Sequence, residues 1–192
     1  MKPIPTMKTR SLVHLSLALS AALSAALSAA SAAEPAKAPA VRVGVYDSRA
    51  LSFAHFWSEP ARKDRDALIA EATAAKNAGD TAKLTPLQQQ IVAGQNRSHL
   101  QVFSTAPADE AMAALKEKLP AIQQELGVGR FVSKWDEAAL KEIPEANRID
   151  ATDRLAREFN PDEKRQKTIE QMKKSKPLPL EQAKKMVQEG KL

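Results

Sequence analysis

Asp47, His55 and His99 are the side chains around which proton transfer or metal binding would have to be built in this chain. A carboxylate beside two imidazoles can orient a general base or share a cation. That use requires the helix carrying His55 to meet the helix carrying His99. No pair has a metal-ligand spacing such as His-x-x-x-His, so two half-exposed structural histidines are expected. Asp47 and Asp136 each follow a predicted strand. Paired carboxylates do acid–base work or hold a hard cation, but an aspartate at a strand-to-helix junction ordinarily caps the helix. Asp150 and Asp153 read as caps for the same reason. No serine sits in a Gly-x-Ser-x-Gly elbow, and the six glycines form no phosphate loop. The absence of cysteine removes thiolate ligands, a cysteine nucleophile and disulfides. The expectation is a protein that is not an enzyme, with no catalytic residue, no cofactor and no metal.

The elements that would position these residues follow a segment of different character. Residues 1–33 contain no acid; Lys2, Lys8 and Arg10 precede an apolar run from Leu12 to Leu27, and Ala30, Ser31, Ala32 and Ala33 follow. This is the pattern of a cleaved secretory signal, and the run falls short of a bilayer span. The mature chain is expected to begin near Glu34 and to reside in the periplasm. Of the formal net charge of +6, the signal carries +3, residues 34–160 carry −1 and residues 161–192 carry +4. The basic character therefore belongs to the two ends, which argues against a nucleic-acid partner.

Residues 34–40 form an Ala/Pro-rich lead-in. Val41, Val43 and Val45 alternate with Arg42, Gly44 and Tyr46, predicting a strand. Ala50, Phe53, Ala54 and Trp57 then recur at helical spacing. Two helices, about 61–78 and 81–102, flank the turn signal Gly79-Asp80, so they should lie antiparallel. Their apolar seams are Ala61, Leu68, Ala72 and Ala75 on one arm and Leu84, Leu87, Ile91 and Val102 on the other. Pro86 is expected near the second arm's start, where its missing N–H costs little. Met112, Leu115, Leu119, Ile122 and Leu126 form an amphipathic helix that Pro120 should kink or split. Strands are expected at 130–135 and about 146–149, and a helix after Asp150. Residues 161–192 form a basic helical tail broken at Pro177 and Pro179. The fold class is α+β, mainly helical: a small β body, a short antiparallel helical hairpin and a C-terminal helical extension.

The order of these parts resembles the Skp/OmpH family of periplasmic chaperones. Val41–Leu51 (VRVGVYDSRAL), Gly127–Trp135 (GVGRFVSKW) and Ile149–Asn160 (IDATDRLAREFN) carry the resemblance, which spans about residues 41–160. Asp150, Thr152, Asp153, Leu155, Phe159 and Asn160 match the family's closing strand and helix. The resemblance implies a homo-oligomer, a trimer, held by the β body, with arms enclosing unfolded outer-membrane proteins and no catalytic residues. The chain departs from the family in its shorter arms, which leave little or no cavity, in its less basic arm tips at Asn77–Asp80, and in its added basic segment 161–192.

Two binding surfaces are expected. Phe53, Phe56, Trp57, Phe103 and Trp135 are candidates for client or subunit contact, with Phe56 and Trp135 the most exposed; core packing of a small sheet is the competing use of these aromatics. Lys164, Arg165, Lys173, Lys174, Lys184 and Lys185 are candidates for contact with anionic lipid or an acidic partner. The functional expectation is a holdase that binds unfolded envelope proteins. The alternative is an envelope structural or adaptor protein that oligomerises through the β body and docks through its tail.

Overall fold

The computed structural model describes residues 41–192, so the expected signal and lead-in, 1–40, lie outside the described residues. Strand β1 (Val43–Tyr46) is central, with β2 (Arg130–Ser133) on one side and β3 (Arg148–Asp150) on the other. Both pairings are parallel, with Val43 opposite Arg130 and Arg148. Parallel neighbours cannot be joined by a tight turn, and helices supply the crossovers. Between β1 and β2 come α1 (Ser48–Phe56), α2 (Glu59–Asn77), α3 (Thr81–Phe103), α4 (Asp109–Ala114) and α5 (Leu119–Leu126). Helix α6 (Glu137–Lys141) and a 3-10 turn at Glu145–Asn147 separate β2 from β3. The chain ends in α7 (Thr152–Arg157), α8 (Glu163–Lys174) and α9 (Leu180–Gln188). The described chain is thus mainly helical with a small sheet, an α+β arrangement.

The principal core lies where α1, α4, α5 and α7 meet the sheet. Leu51, Leu115, Ile122 and Leu155 are fully buried there with Tyr46, and Phe131 and Phe159 pack against them. Each such side chain contributes about 1.5–3 kcal/mol by leaving water. Gly44 allows this packing: a Cβ on it would stand 2.5 Å from the Phe131 ring and 3.2 Å from Ala151 Cβ. Pro120 divides the amphipathic segment as expected; α4 ends at Ala114, and Pro120 lies in the first turn of α5. Gly127 then closes α5 in the left-handed conformation, φ 62°.

Helices α2 and α3 are joined by Ala78, Gly79 and Asp80 and seal a second cluster of Ala72, Ala75 and Leu87, with Leu68, Leu84 and Ile91 beside it. Small residues on α2 let α3 approach closely. Ser58 and Asp80 cap the two helices by accepting from the amides of Ala61 and Lys83. Because α3 begins at Thr81, Pro86 lies beyond its first turn and removes one helical hydrogen bond, contrary to the expected cost-free placement.

The basic tail packs on the rest of the described chain. Ile169 of α8 is buried against Ala50, Ala54 and Ala156. Leu178 makes a short parallel bridge with Ser104, its amide donating to the Phe103 carbonyl at 2.9 Å. Ala183 of α9 is fully buried, and α9 contacts α3.

Candidate functional site

A cavity of about 770 Å³ opens where α1 meets the first turns of α2, the C-terminal half of α3, and α4. Phe56, Leu68, Ile69, Ile91 and Val102 give it apolar walls. His55 and His99 both line it, so the condition that α1 meet α3 is fulfilled. Burial lowers the His55 pKa, assisted by Arg65 and opposed by Glu110, which favours the neutral imidazole. The His55 ring stands edge-on to Phe159 at 5.3 Å, and the His99 ring edge-on to Phe103 at 6.0 Å.

The charged groups of the lining are largely engaged. Arg97 pairs with Glu110 at 2.6 Å. Arg65 donates to the carbonyls of Phe56 and Ala61 and lies 3.8 Å over the Phe56 ring. Two polar atoms are not engaged: Ser52 Oγ and His99 Nδ1 are buried without a hydrogen-bond partner among the described residues. Both residues line this cavity. Sequence reasoning missed Ser52, Arg65 and the Arg97–Glu110 pair. The one available signal for Ser52 was its place on the buried face of α1, between Leu51 and Phe53.

Asp47 is not part of this cavity. Its side chain is fully buried at the C-terminal end of β1, where its carboxylate accepts from the Arg49 amide (3.0 Å), from Arg49 Nε and Nη2 (3.2 and 3.0 Å), and from Trp135 Nε1 (3.3 Å). Lys134 Nζ pairs with it at 2.6 Å. Burial alone would raise the Asp47 pKa, but hydrogen bonds from Arg49 and Lys134 outweigh burial and hold it below the usual carboxylate value. Asp47 thus caps α1 as expected and also anchors a buried ionic node, which the cap reading did not foresee. Arg49 extends the node to the tail, donating to the carbonyls of Met172 (2.7 Å) and Ser175 (2.9 Å). These are end-of-helix carbonyls that a cation complements.

The remaining carboxylates act locally. Asp136 caps α6 through the Ala139 amide, so no Asp47–Asp136 pair forms. Asp150 accepts from the Thr152 amide. Asp153 receives Lys173 rather than closing a capping box. Among the described residues, no group of three histidine, aspartate or glutamate side chains is placed to hold a metal.

The aromatic candidates divide differently from expectation. Phe103 and Trp57 are exposed, at 50% and 40%. Phe53, Phe56 and Trp135 are half-buried. Cations account for the reversal: Arg65 covers Phe56, while Arg49 and Lys134 lie 5.0 and 4.6 Å over Trp135. Trp57 packs edge-on to Phe53 and Phe56, with Arg165 over its ring at 5.0 Å. Several tail cations are already paired within the chain: Arg165 with Asp162, Lys173 with Asp153 and Glu170, Lys184 with Glu181, and Lys185 at 3.9 Å from Glu189. Lys164 and Lys174 are exposed and make no ion pair among the described residues.

No protein-family model matches the chain, and no curated protein or solved structure matches it. Among the described residues no helix is long and apolar enough to cross a membrane.

Proposed function

We propose that this is an exported, non-enzymatic holdase of the periplasm, which reversibly binds apolar segments of unfolded envelope proteins. The cavity at the base of the α2–α3 pair carries the proposal: at about 770 Å³ it is larger than a single side chain requires, and its walls are mostly apolar. The two helices have 19 and 23 residues, about 30 Å each at 1.5 Å per residue, and are joined by Ala78, Gly79 and Asp80; we read them as an antiparallel hairpin. Ile69, Val92 and Phe103 leave apolar surface exposed along it, so a client segment seated in the cavity could continue along the arm. The engaged state of Asp47 supports a binding role over catalysis, since its carboxylate is occupied away from both histidines. Strands β2 and β3 each have one edge without a strand partner among the described residues, which supports oligomerisation through the β body.

An adaptor role through the tail rests on exposed cations outside ion pairs among the described residues, Lys164, Lys174 and Lys176. Replacing all three by glutamate should abolish binding to anionic vesicles if the tail docks there, and should leave client holding unchanged if the cavity is the site. The proposal itself is tested by diluting a urea-unfolded outer-membrane barrel protein into the mature chain and following light scatter. Suppression at a fixed low ratio of protein to client supports it; unchanged scatter with a folded protein overturns it.

A further inference from the structure

We propose that the outer face of α3, from Thr85 to Asn96, is a contact surface for a second copy of this chain. Leu84, Leu87 and Ile91 turn one side of α3 towards α2. At about 100° per residue, Thr85, Gln88, Gln89, Val92, Ala93 and Asn96 fall together on a different side, spaced i, i+3, i+4, i+7, i+8 and i+11. These residues line one shallow concavity of about 390 Å³. Val92 is 54% exposed there.

The charge pattern identifies the occupant. Charged residues make up 27% of the chain, so about three or four would fall in thirteen residues, yet residues 84–96 contain none. The exposed side of α2, by contrast, carries Arg62, Lys63, Asp64, Asp66, Glu71 and Lys76. The charges that border the uncharged stretch are spent within the chain: Lys83 pairs with Glu71 at 2.9 Å and Arg97 with Glu110 at 2.6 Å. Depletion of charge marks the centre of a protein interface. Two copies related by a two-fold axis place the same patch opposite itself. A patch of one charge sign repels its own copy, and an uncharged patch does not. The amides of Gln88, Gln89 and Asn96 add attraction, because each donates and accepts and so pairs with its own kind. Val92 supplies an apolar centre, and the short side chains of Thr85 and Ala93 let two helices approach closely. The patch is about 18 Å long and 10 Å wide, less than the roughly 800 Å² per partner of a standard interface. Association through it is therefore weak and is read at high concentration.

Sedimentation equilibrium of the mature chain at about 200 μM tests this, alongside the double variants Gln89→Glu with Val92→Glu and Gln89→Lys with Val92→Lys. Both positions are exposed, so neither variant buries a charge in the free chain. Wild type should self-associate. Each variant alone should associate at least tenfold more weakly, because like charges then face each other, and an equimolar mixture of the two should recover association, because opposite charges meet. A monomeric wild type, variants that associate as wild type does, or a mixture no stronger than its components would overturn the inference. The second of these is the result that oligomerisation through the β body alone would give. The chain has no cysteine, so Val92→Cys provides a reading that adds no charge to the face. Mild oxidation should yield a disulfide-linked dimer of Val92→Cys and not of Lys63→Cys, which lies on the charged side of α2; equal yields from the two would also overturn the inference. These measurements contain no client, so their failure leaves the holdase reading untouched.

Discussion

Replacing Arg49 by alanine should loosen the C-terminal tail and cost about 4 kcal/mol of stability. Arg49 is 3% exposed and its partner Asp47 is fully buried. Removing one member of such a pair leaves a charge buried without its complement, at a cost of about 3–5 kcal/mol. Lys134 stays on the Asp47 carboxylate at 2.6 Å, which pulls the cost to the lower end. The carbonyls of Met172 and Ser175 lose a charged donor as well, adding about 1 kcal/mol in total because both lie near water. Against the 5–15 kcal/mol typical of a domain, the loss is a large share. Urea unfolding followed by far-ultraviolet circular dichroism measures it, and hydrogen exchange across residues 163–188 locates it. Fluorescence is a poor probe here, since Trp135 lies against Arg49 itself. Lys167→Ala is the control, because the Lys167–Glu163 pair is exposed on both sides and should change stability by about 0.5 kcal/mol or less. An Arg49→Ala variant within about 1 kcal/mol of wild type, with α8 and α9 as protected as before, would refute the claim that this node fastens the tail.

Gly44→Val should destabilise by about 1–3 kcal/mol in urea unfolding, because the new side chain meets the Phe131 ring at 2.5 Å on the central strand; Phe131→Leu in the same chain should recover part of the loss. Ser52→Ala should raise the stability of the free protein by about 1 kcal/mol, since it removes an unpartnered buried hydroxyl, and thermal unfolding reads the shift. Stability should fall on acidification in two stages. The His55 pKa lies below 6.5 in the folded state, so protonation of the unfolded chain lowers stability as the pH drops below about 6.5. The Asp47 pKa lies below 3.8, so its contribution is complete above that value and is lost as the pH falls through the folded-state pKa. Urea midpoints across pH 8 to 3 check this, and Asp47→Asn should flatten the acidic stage.

Elements with a strong local signal could be read from the residues alone. The valine alternation places β1, the Gly79-Asp80 turn separates α2 from α3, and Pro120 divides α4 from α5. Leu115 and Ile122, at the centre of the amphipathic pattern, are at the centre of the core. The site was harder to read because it is assembled from distant segments. Trp135 reaches Asp47 across 88 positions, and Arg49 reaches Met172 across 123; no periodicity records such pairings. The meeting of α1 and α3 that a shared site would need does occur, and His55 and His99 line one cavity, but Asp47, grouped with them by chemistry alone, lies elsewhere. The exposed aromatics were misjudged because a cation lying over a ring leaves no trace in hydrophobic spacing. The expectation of little or no cavity considered only the space between long arms. The cavity that forms lies at their base, where α1 and α4 join the two helices in walling it.

The most direct test compares wild-type protein with Gly94→Trp in suppressing aggregation of an unfolded outer-membrane barrel protein. Gly94 lines the cavity, and a Cβ added there meets no atom within 4 Å. The new side chain therefore starts in open space on the cavity wall, and loss of a helix-interior glycine adds about 0.5 kcal/mol of helix propensity. The account predicts suppression by wild type at a fixed low ratio and its loss in a Gly94→Trp variant that is equally or more stable. Suppression undiminished by Gly94→Trp, or absent from the folded wild-type chain, would contradict it.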